Sequence, residues 1–139
     1  MQGLEGLRVV EMATLLAGPG AAKYLGDYGA DVIKVEAPGG DGARRLGWTP
    51  EGDDDSYLWK VFGRNKRDVV FDLKTDDGLA AMLALLDTAD VFIENLRPGT
   101  IERLGLDPEL LHKTNPQLVI LRVTGFGQDG PYAQRPGFA

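Results

Sequence analysis

Arg8-Val9-Val10-Glu11-Met12-Ala13-Thr14-Leu15-Leu16-Ala17-Gly18-Pro19-Gly20, followed further along by Asp31-Val32-Ile33-Lys34-Val35-Glu36, decides the fold. Val9, Val10 and Met12 make Arg8 to Met12 an apolar strand, broken by the glycine turn Leu15 to Gly20. The run Asp31 to Glu36 is a second strand that ends in an acid. Between them Gly20 to Tyr28 predicts a short helix, whose small residues Ala21 and Ala22 let it lie close to a sheet. A strand, a glycine turn, a helix and a strand with a terminal acid is how nucleotide-binding α/β domains begin. The turn points to a nucleotide-like ligand.

Working outward, Asp68 to Leu73, Asp90 to Asn95 and Leu118 to Thr124 read as further strands. Thr75 is placed as a helix N-cap, with Asp76 and Asp77 in the first turn, where negative charge suits the macrodipole. Leu79, Met82, Leu83 and Leu86 then recur with the period of a helix packed on a sheet. Tyr57 to Phe62 forms a helical turn, and Pro98 to Leu104 and Pro108 to Lys113 are short helices entered through a proline. Ala37 to Ser56, rich in Gly, Asp and Arg, reads as a long loop, of a length that is either functional or disordered. Gly125 to Ala139 closes no element. Strands alternating with helices predict an α/β fold with a Rossmann-like, mostly parallel sheet covered on both faces, its strand order open. Ligands of such sheets sit beyond the C-terminal strand ends, which gathers Ala13 to Gly20, Ala37 to Arg45, Asn95 to Arg97 and Gly125 to Pro131 around one crevice.

The 139 residues fit one domain of ordinary globular composition. With no cysteine, disulfides, thiolate catalysis and Cys-ligated zinc are excluded, and one histidine, His112, leaves no multi-histidine metal site. A net charge of −6 argues against nucleic acid as a partner. No apolar run approaches the ~20 residues that span a bilayer, and the N-terminus lacks a signal-like pattern. No membrane partner and a cytoplasmic location are the expectations.

The dinucleotide fingerprint Gly-x-Gly-x-x-Gly is met by Gly18, Gly20 and the later acid Glu36, but its third position is Lys23. Pro19 also removes an amide donor where a pyrophosphate would rest. An NAD(P)-dependent oxidoreductase is therefore disfavoured. Arg44, Arg45, Lys60, Arg64, Lys66, Arg67 and Lys74 form a basic cluster in an acidic chain. Arginine forks suit a ligand with several phosphates; the alternative is a solvated face balanced by Asp53, Asp54 and Asp55. Asn95 and Arg97 stand at the crevice edge, Asn95 as a ligand contact or a turn cap. Glu102 and Arg103 suit an ordinary exposed pair, and His112 suits the surface. Trp48 and Trp59 flank the long loop and suit either a base or the core. Gly125 to Tyr132 reads as a loop passing close to something.

Leu4-Glu5-Gly6-Leu7-Arg8-Val9-Val10-Glu11, Ala17-Gly18-Pro19, Gly29-Ala30-Asp31-Val32-Ile33-Lys34-Val35-Glu36, Asn65-Lys66-Arg67, Asp72-Leu73-Lys74, Ala89-Asp90-Val91-Phe92-Ile93-Glu94-Asn95, Arg97-Pro98-Gly99 and Gly125-Phe126-Gly127-Gln128 run in order along essentially the whole chain. Together they resemble the class III coenzyme A transferases, a family that includes formyl-CoA transferase, carnitine CoA-transferase and the α-methylacyl-CoA racemases. The resemblance implies that the chain binds CoA and not a dinucleotide. It marks Lys74, Asn95 and Arg103 as CoA contacts and Ala17, Phe71, Leu96 and Leu104 as lining the site. The phosphates of CoA are then a physical reason for the basic cluster. Some members carry an arginine directly after the acid of the second strand; here that position is Ala37, with Arg44 or Arg45 to compensate.

The resemblance also implies a mechanism. An aspartate carboxylate attacks the acyl-CoA thioester, giving a mixed anhydride and free CoA thiolate. The thiolate returns to form an aspartyl-CoA thioester, and an acceptor carboxylate collects the CoA. Amides near Ala17-Gly18-Pro19 are candidates to stabilise the oxyanion. Acyl-CoA and a carboxylic acid are substrates, with no tightly bound cofactor expected. In the family the aspartate lies beyond Arg135-Pro136-Gly137, and full-length members are longer, with a second domain and an interlocked homodimer. Residues 1–139 are accordingly expected to be a truncated N-terminal CoA-binding region without the catalytic residue, inactive alone. A non-catalytic CoA-binding module is the alternative. Racemases place a histidine and an aspartate where this chain has Phe138 and Ala139, and phenylalanine cannot exchange a proton.

Overall fold

The computed structural model describes residues 3–137. Its centre is an all-parallel sheet of five strands in the order β3-β2-β1-β4-β5. The strands are β1 Arg8–Glu11, β2 Asp31–Glu36, β3 Lys66–Val70, β4 Val91–Glu94 and β5 Val119–Arg122. Helix α1 (Ala17–Asp27) joins β1 to β2, α2 (Tyr57–Phe62) precedes β3, and α3 (Asp76–Leu86) carries the chain back to β4. The helices α4 (Thr100–Arg103) and α5 (Pro108–Thr114) lead into β5. The expected α/β class holds, and the open strand order resolves into the doubly wound one.

Alternation along the strands separates two cores. Val9, Val32 and Ile93 pack with Ala22 of α1 on one face, whereas Val10, Val35, Phe92, Met82, Leu86, Ile101 and Leu111 fill the opposite face. Each of these large side chains contributes about 1.5–3 kcal/mol by leaving water. Thr75 caps α3 as expected, accepting from the Gly78 amide at 3.1 Å, and Asp107 caps α5 ahead of Pro108.

Several boundaries differ from expectation. Helix α1 begins at Ala17, not Gly20, because Gly18 and Pro19 form its first turn, where a missing proline N–H costs nothing. Strand β3 begins at Lys66, not Asp68, since its charged residues pair in register with β2. Helix α4 is entered through Gly99, at φ 81°, with Pro98 left outside it. The 37–56 loop is ordered around the 3-10 turn Gly42–Arg45: Ser56 donates from Oγ to the Ala43 carbonyl at 2.6 Å and from its amide to the Arg44 carbonyl at 2.8 Å.

The chain steps from β1 through β2 to β3 and then crosses to β4 on the other side of β1. The switch point therefore lies between the C-terminal ends of β1 and β4. That is where ligands of open parallel sheets bind.

Candidate functional site

At the switch point, β1 ends by donating the Met12 amide to Ile93 of β4 at 2.8 Å. The Asn95 side chain then clamps the two loops: Oδ1 accepts from the Thr14 amide and Nδ2 donates to the Thr14 carbonyl, both at 2.8 Å. Leu15 follows with φ 63°, a left-handed conformation unusual for a branched residue. Helix α1 starts at Ala17 with no side-chain cap on its first amides. Gly18 is needed there for close approach, since a Cβ at that position would lie 2.2 Å from Ala13 Cβ.

Beneath this turn lies a cluster of charges that sequence reasoning missed. Lys34, 1% exposed at its side chain, donates to Glu11 and to Asp41 at 2.8 Å each, and to the Ala13 carbonyl. Lys66 reaches the other oxygen of Glu11 and the Pro19 carbonyl, both at 2.8 Å. Asp41 accepts from the amides of Ala43 at 2.8 Å and Leu15 at 3.3 Å. Burial pulls the Lys66 ammonium below its usual range, against the pull of Glu11. Burial pushes Asp41 up, but the Ala43 amide and Lys34 outweigh it and the carboxyl ends below its ordinary value. The signal available was a charge at an inward strand position: Glu11 after Val9-Val10 and Lys34 inside Val32-Ile33-Lys34-Val35.

Two cavities flank the turn. One, of about 250 Å³, is lined mainly by apolar groups and includes Val35, Phe71, Lys74, Leu96 and Leu104. The other, of about 360 Å³, includes Ala17, Asn95, Leu96, Arg97 and Arg135. Leu96 belongs to both. Six of the expected site residues thus gather on two adjoining cavities. Arg103 lines neither; it is exposed and donates to Thr100 Oγ1 at 3.0 Å.

The basic cluster is mostly neutralised. Arg44 forks onto Glu36 at 2.6 and 2.9 Å and onto Asp55 at 3.1 Å, and stacks 3.9 Å over the Trp59 ring. Its pKa is raised, first by Glu36. Lys60 pairs with Asp53 at 2.6 Å, Arg64 with Asp27 at 2.7 Å and Arg67 with Asp31 at 2.7 Å. Arg44 is therefore not spare to compensate for Ala37, while Arg45 is exposed and contacts only the Gly39 carbonyl, at 3.3 Å. Among the described residues the basic groups without a carboxylate partner are Arg45, Lys74, Arg97, Arg103, Lys113 and Arg135.

Other expectations sort as follows. Glu36, the acid of the dinucleotide pattern, is buried and occupied by Arg44 and by the Asp41 amide at 2.6 Å, so it has no place for ribose hydroxyls. Glu102 pairs with Arg122 at 2.9 Å, not with Arg103. His112 is exposed, with Nε2 2.9 Å from the Leu118 carbonyl. Trp59 is core and Trp48 is 87% exposed. The 125–132 loop does pass close to something: a Cβ on Gly125 would meet Gly137 Cα at 2.6 Å. Phe138 and Ala139 lie outside the described residues.

Comparison with known proteins agrees with this geometry. The family model described as CoA-transferase family III matches residues 4–139. The chain is 50% identical over 137 residues to the succinyl-CoA–L-malate CoA-transferase beta subunit of Chloroflexus aurantiacus, covering 98% of this chain and 34% of that protein. It is 47% identical over 143 residues to the succinate–glutarate CoA-transferase of Agrobacterium fabrum, covering 97% and 35%. The crystal structure of a CAIB/BAIF family protein from Brucella suis superposes with a TM-score of 0.93 at 44% identity, over 99% of this chain and 37% of that one. The chain spans about a third of the length of the curated relatives it matches.

Proposed function

The chain belongs to CoA-transferase family III, and we propose on that premise that it is the CoA-binding N-terminal portion of an enzyme that moves CoA between an acyl-CoA thioester and a free carboxylic acid. The observation that carries this reading is the pair of cavities meeting at Leu96 on either side of the Leu15 turn. The apolar cavity with Lys74 at its wall suits a flat base and a phosphate; the Ala17 and Asn95 cavity suits the thioester end. Asn95 acts there chiefly by holding Thr14 in place, since both of its polar atoms are engaged. Lys74, Arg97 and Arg135 on the cavity walls, with Arg45 and Arg103 nearby in the chain, are the unpaired cations available for phosphates.

In this reading the attacking aspartate is supplied from outside residues 1–139, through an aspartyl-CoA intermediate, and the uncapped amides at Ala17 and Gly18 face the developing oxyanion. The relatives named for succinyl-CoA, malate and glutarate support a carboxylic acid as acceptor. A larger, interlocked homodimeric assembly belongs to the same reading. It is supported by Val119 and Leu121 of β5, 60% and 41% exposed on the face that α1 covers elsewhere. A cytoplasmic place belongs to the same reading.

The test is calorimetric. CoA should bind the full-length gene product and NAD should not, with Lys74→Ala weakening CoA and reducing the salt dependence of its affinity. The 139-residue chain alone should show no transfer. Comparable NAD binding, or turnover of acyl-CoA by the 139 residues, would overturn the proposal.

A further inference from the structure

We infer that Lys34 and Lys66, with Glu11 and Asp41, are positioning residues that set the β1–α1 turn for the thioester, an inference that rests on the CoA reading above. The two lysines take hold of the turn at its ends. Lys34 donates to the Ala13 carbonyl and Lys66 to the Pro19 carbonyl, the latter at 2.8 Å. Asp41 holds the middle, accepting from the Leu15 amide at 3.3 Å. Glu11 ties the lysines together, one oxygen to each at 2.8 Å. The three segments that meet here come from β1, from β2 with its following loop, and from β3, so the turn is referenced to the whole left half of the sheet.

Stability alone does not account for these charges. Two cations and two carboxylates balance, but apolar side chains of similar volume in a buried site are commonly as stable or more so. What the charges add is direction. Every Nζ atom in the cluster ends on one named carbonyl of the turn as well as on a carboxylate, and Asp41 ends on the amide of Leu15, which is held left-handed. Strained backbone persists only where its surroundings over-determine it. Gly18, packed against Ala13, gives the same segment no room to settle elsewhere. The turn whose Ala17 faces the thioester cavity is thereby fixed from below by Glu11 and Lys66, which line neither cavity, and by Lys34 and Asp41, which stand in the wall of the apolar one.

The test compares Lys66→Met with the parent in the full-length gene product, reading transfer kinetics with an acyl-CoA, calorimetric affinity for free CoA, and thermal midpoint. Free CoA has no thioester carbonyl to be placed, so the two ligands separate positioning from binding. We expect kcat to fall by about 10- to 100-fold while CoA affinity changes by less than about threefold. Lys66→Gln, which keeps a donor beside Glu11 but falls short of Pro19, should show the same split and serves if Lys66→Met does not fold. An unchanged kcat, or kcat and CoA affinity falling together in step with the thermal midpoint, overturns the inference and leaves the CoA reading intact. A parent protein that neither binds CoA nor transfers it fails at the earlier step and removes both.

Discussion

Gly18→Ala tests the tightest contact at the switch point. The added methyl would sit 2.2 Å from Ala13 Cβ, against 3.4–4 Å for ordinary contact. Both carbons hang directly from backbone and Ala13 is 1% exposed, so no rotamer change relieves the overlap. The start of α1 must lift away from β1 by roughly an ångström, straining the 2.7 Å bond from the Gly20 amide to the Leu16 carbonyl. Overpacking of that kind costs about 3 kcal/mol, and the better helix propensity of alanine returns up to about 1. The net loss of about 2 kcal/mol corresponds to a thermal midpoint lower by about 7 °C for a chain of this size. Urea denaturation followed by circular dichroism measures it. The decisive comparison is Gly18→Ala combined with Ala13→Gly, which removes the obstructing carbon: the double variant should be more stable than Gly18→Ala alone. A double variant no better than the single, or a single as stable as the parent, would refute the packing explanation of this glycine.

Asn95→Ala should cost about 1–2 kcal/mol for its two bonds to Thr14, and amide exchange at Thr14 should accelerate; unchanged protection there would rule out the clamp. Acid should destabilise the fold through Glu36 and Asp41. For both, burial pushes the carboxyl up and hydrogen bonds outweigh it, chiefly from Arg44 for Glu36 and from the Ala43 amide for Asp41. A folded-state pKa below the unfolded one gives stability that is present above about pH 4 and lost as pH falls through the folded value. Asp68, raised by burial and then by the Glu36 charge, acts in the opposite sense and softens the loss. The urea midpoint should still decline from about pH 5 to pH 3, and less steeply in Asp41→Asn; a flat parent profile would contradict the assignment.

What the sequence displayed and what it concealed divide along one line, the distance to a partner. Val9, Val10, Val32 and Phe92 announced their strands because an apolar run is a local property, and Thr75 announced α3 because a cap reaches only to Gly78. The cluster from Arg44 to Lys74 read equally as a phosphate-binding patch or a solvated face because the partners of Arg64, Lys66 and Arg67 are far away in the chain. Arg67 meets Asp31 through the register that places it opposite Ile33, Arg64 meets Asp27 at the end of α1, and Lys66 meets Glu11 on β1. Parallel pairing supplies those carboxylates, and a linear reading counts the cations without them. The same pairing hid the buried lysines and delayed the expected start of β3, whose charges looked unlike a strand.

Once the pairs are removed, the remaining positive charge is distributed in a way that clustering could not show. Arg45 follows β2, Lys74 follows β3, Arg97 and Arg103 follow β4 and Arg135 follows β5; Lys113, at the end of α5, is the exception. Neutralisation is thus nearly complete within the sheet and incomplete along its C-terminal edge, where Lys74, Arg97 and Arg135 line the two cavities. A chain with net charge −6 has carboxylates enough to pair these residues as well. That they stay unpaired there is the electrostatic counterpart of the switch point: on the CoA-binding proposal, the fold collects unpaired cations where an anionic thioester would lie.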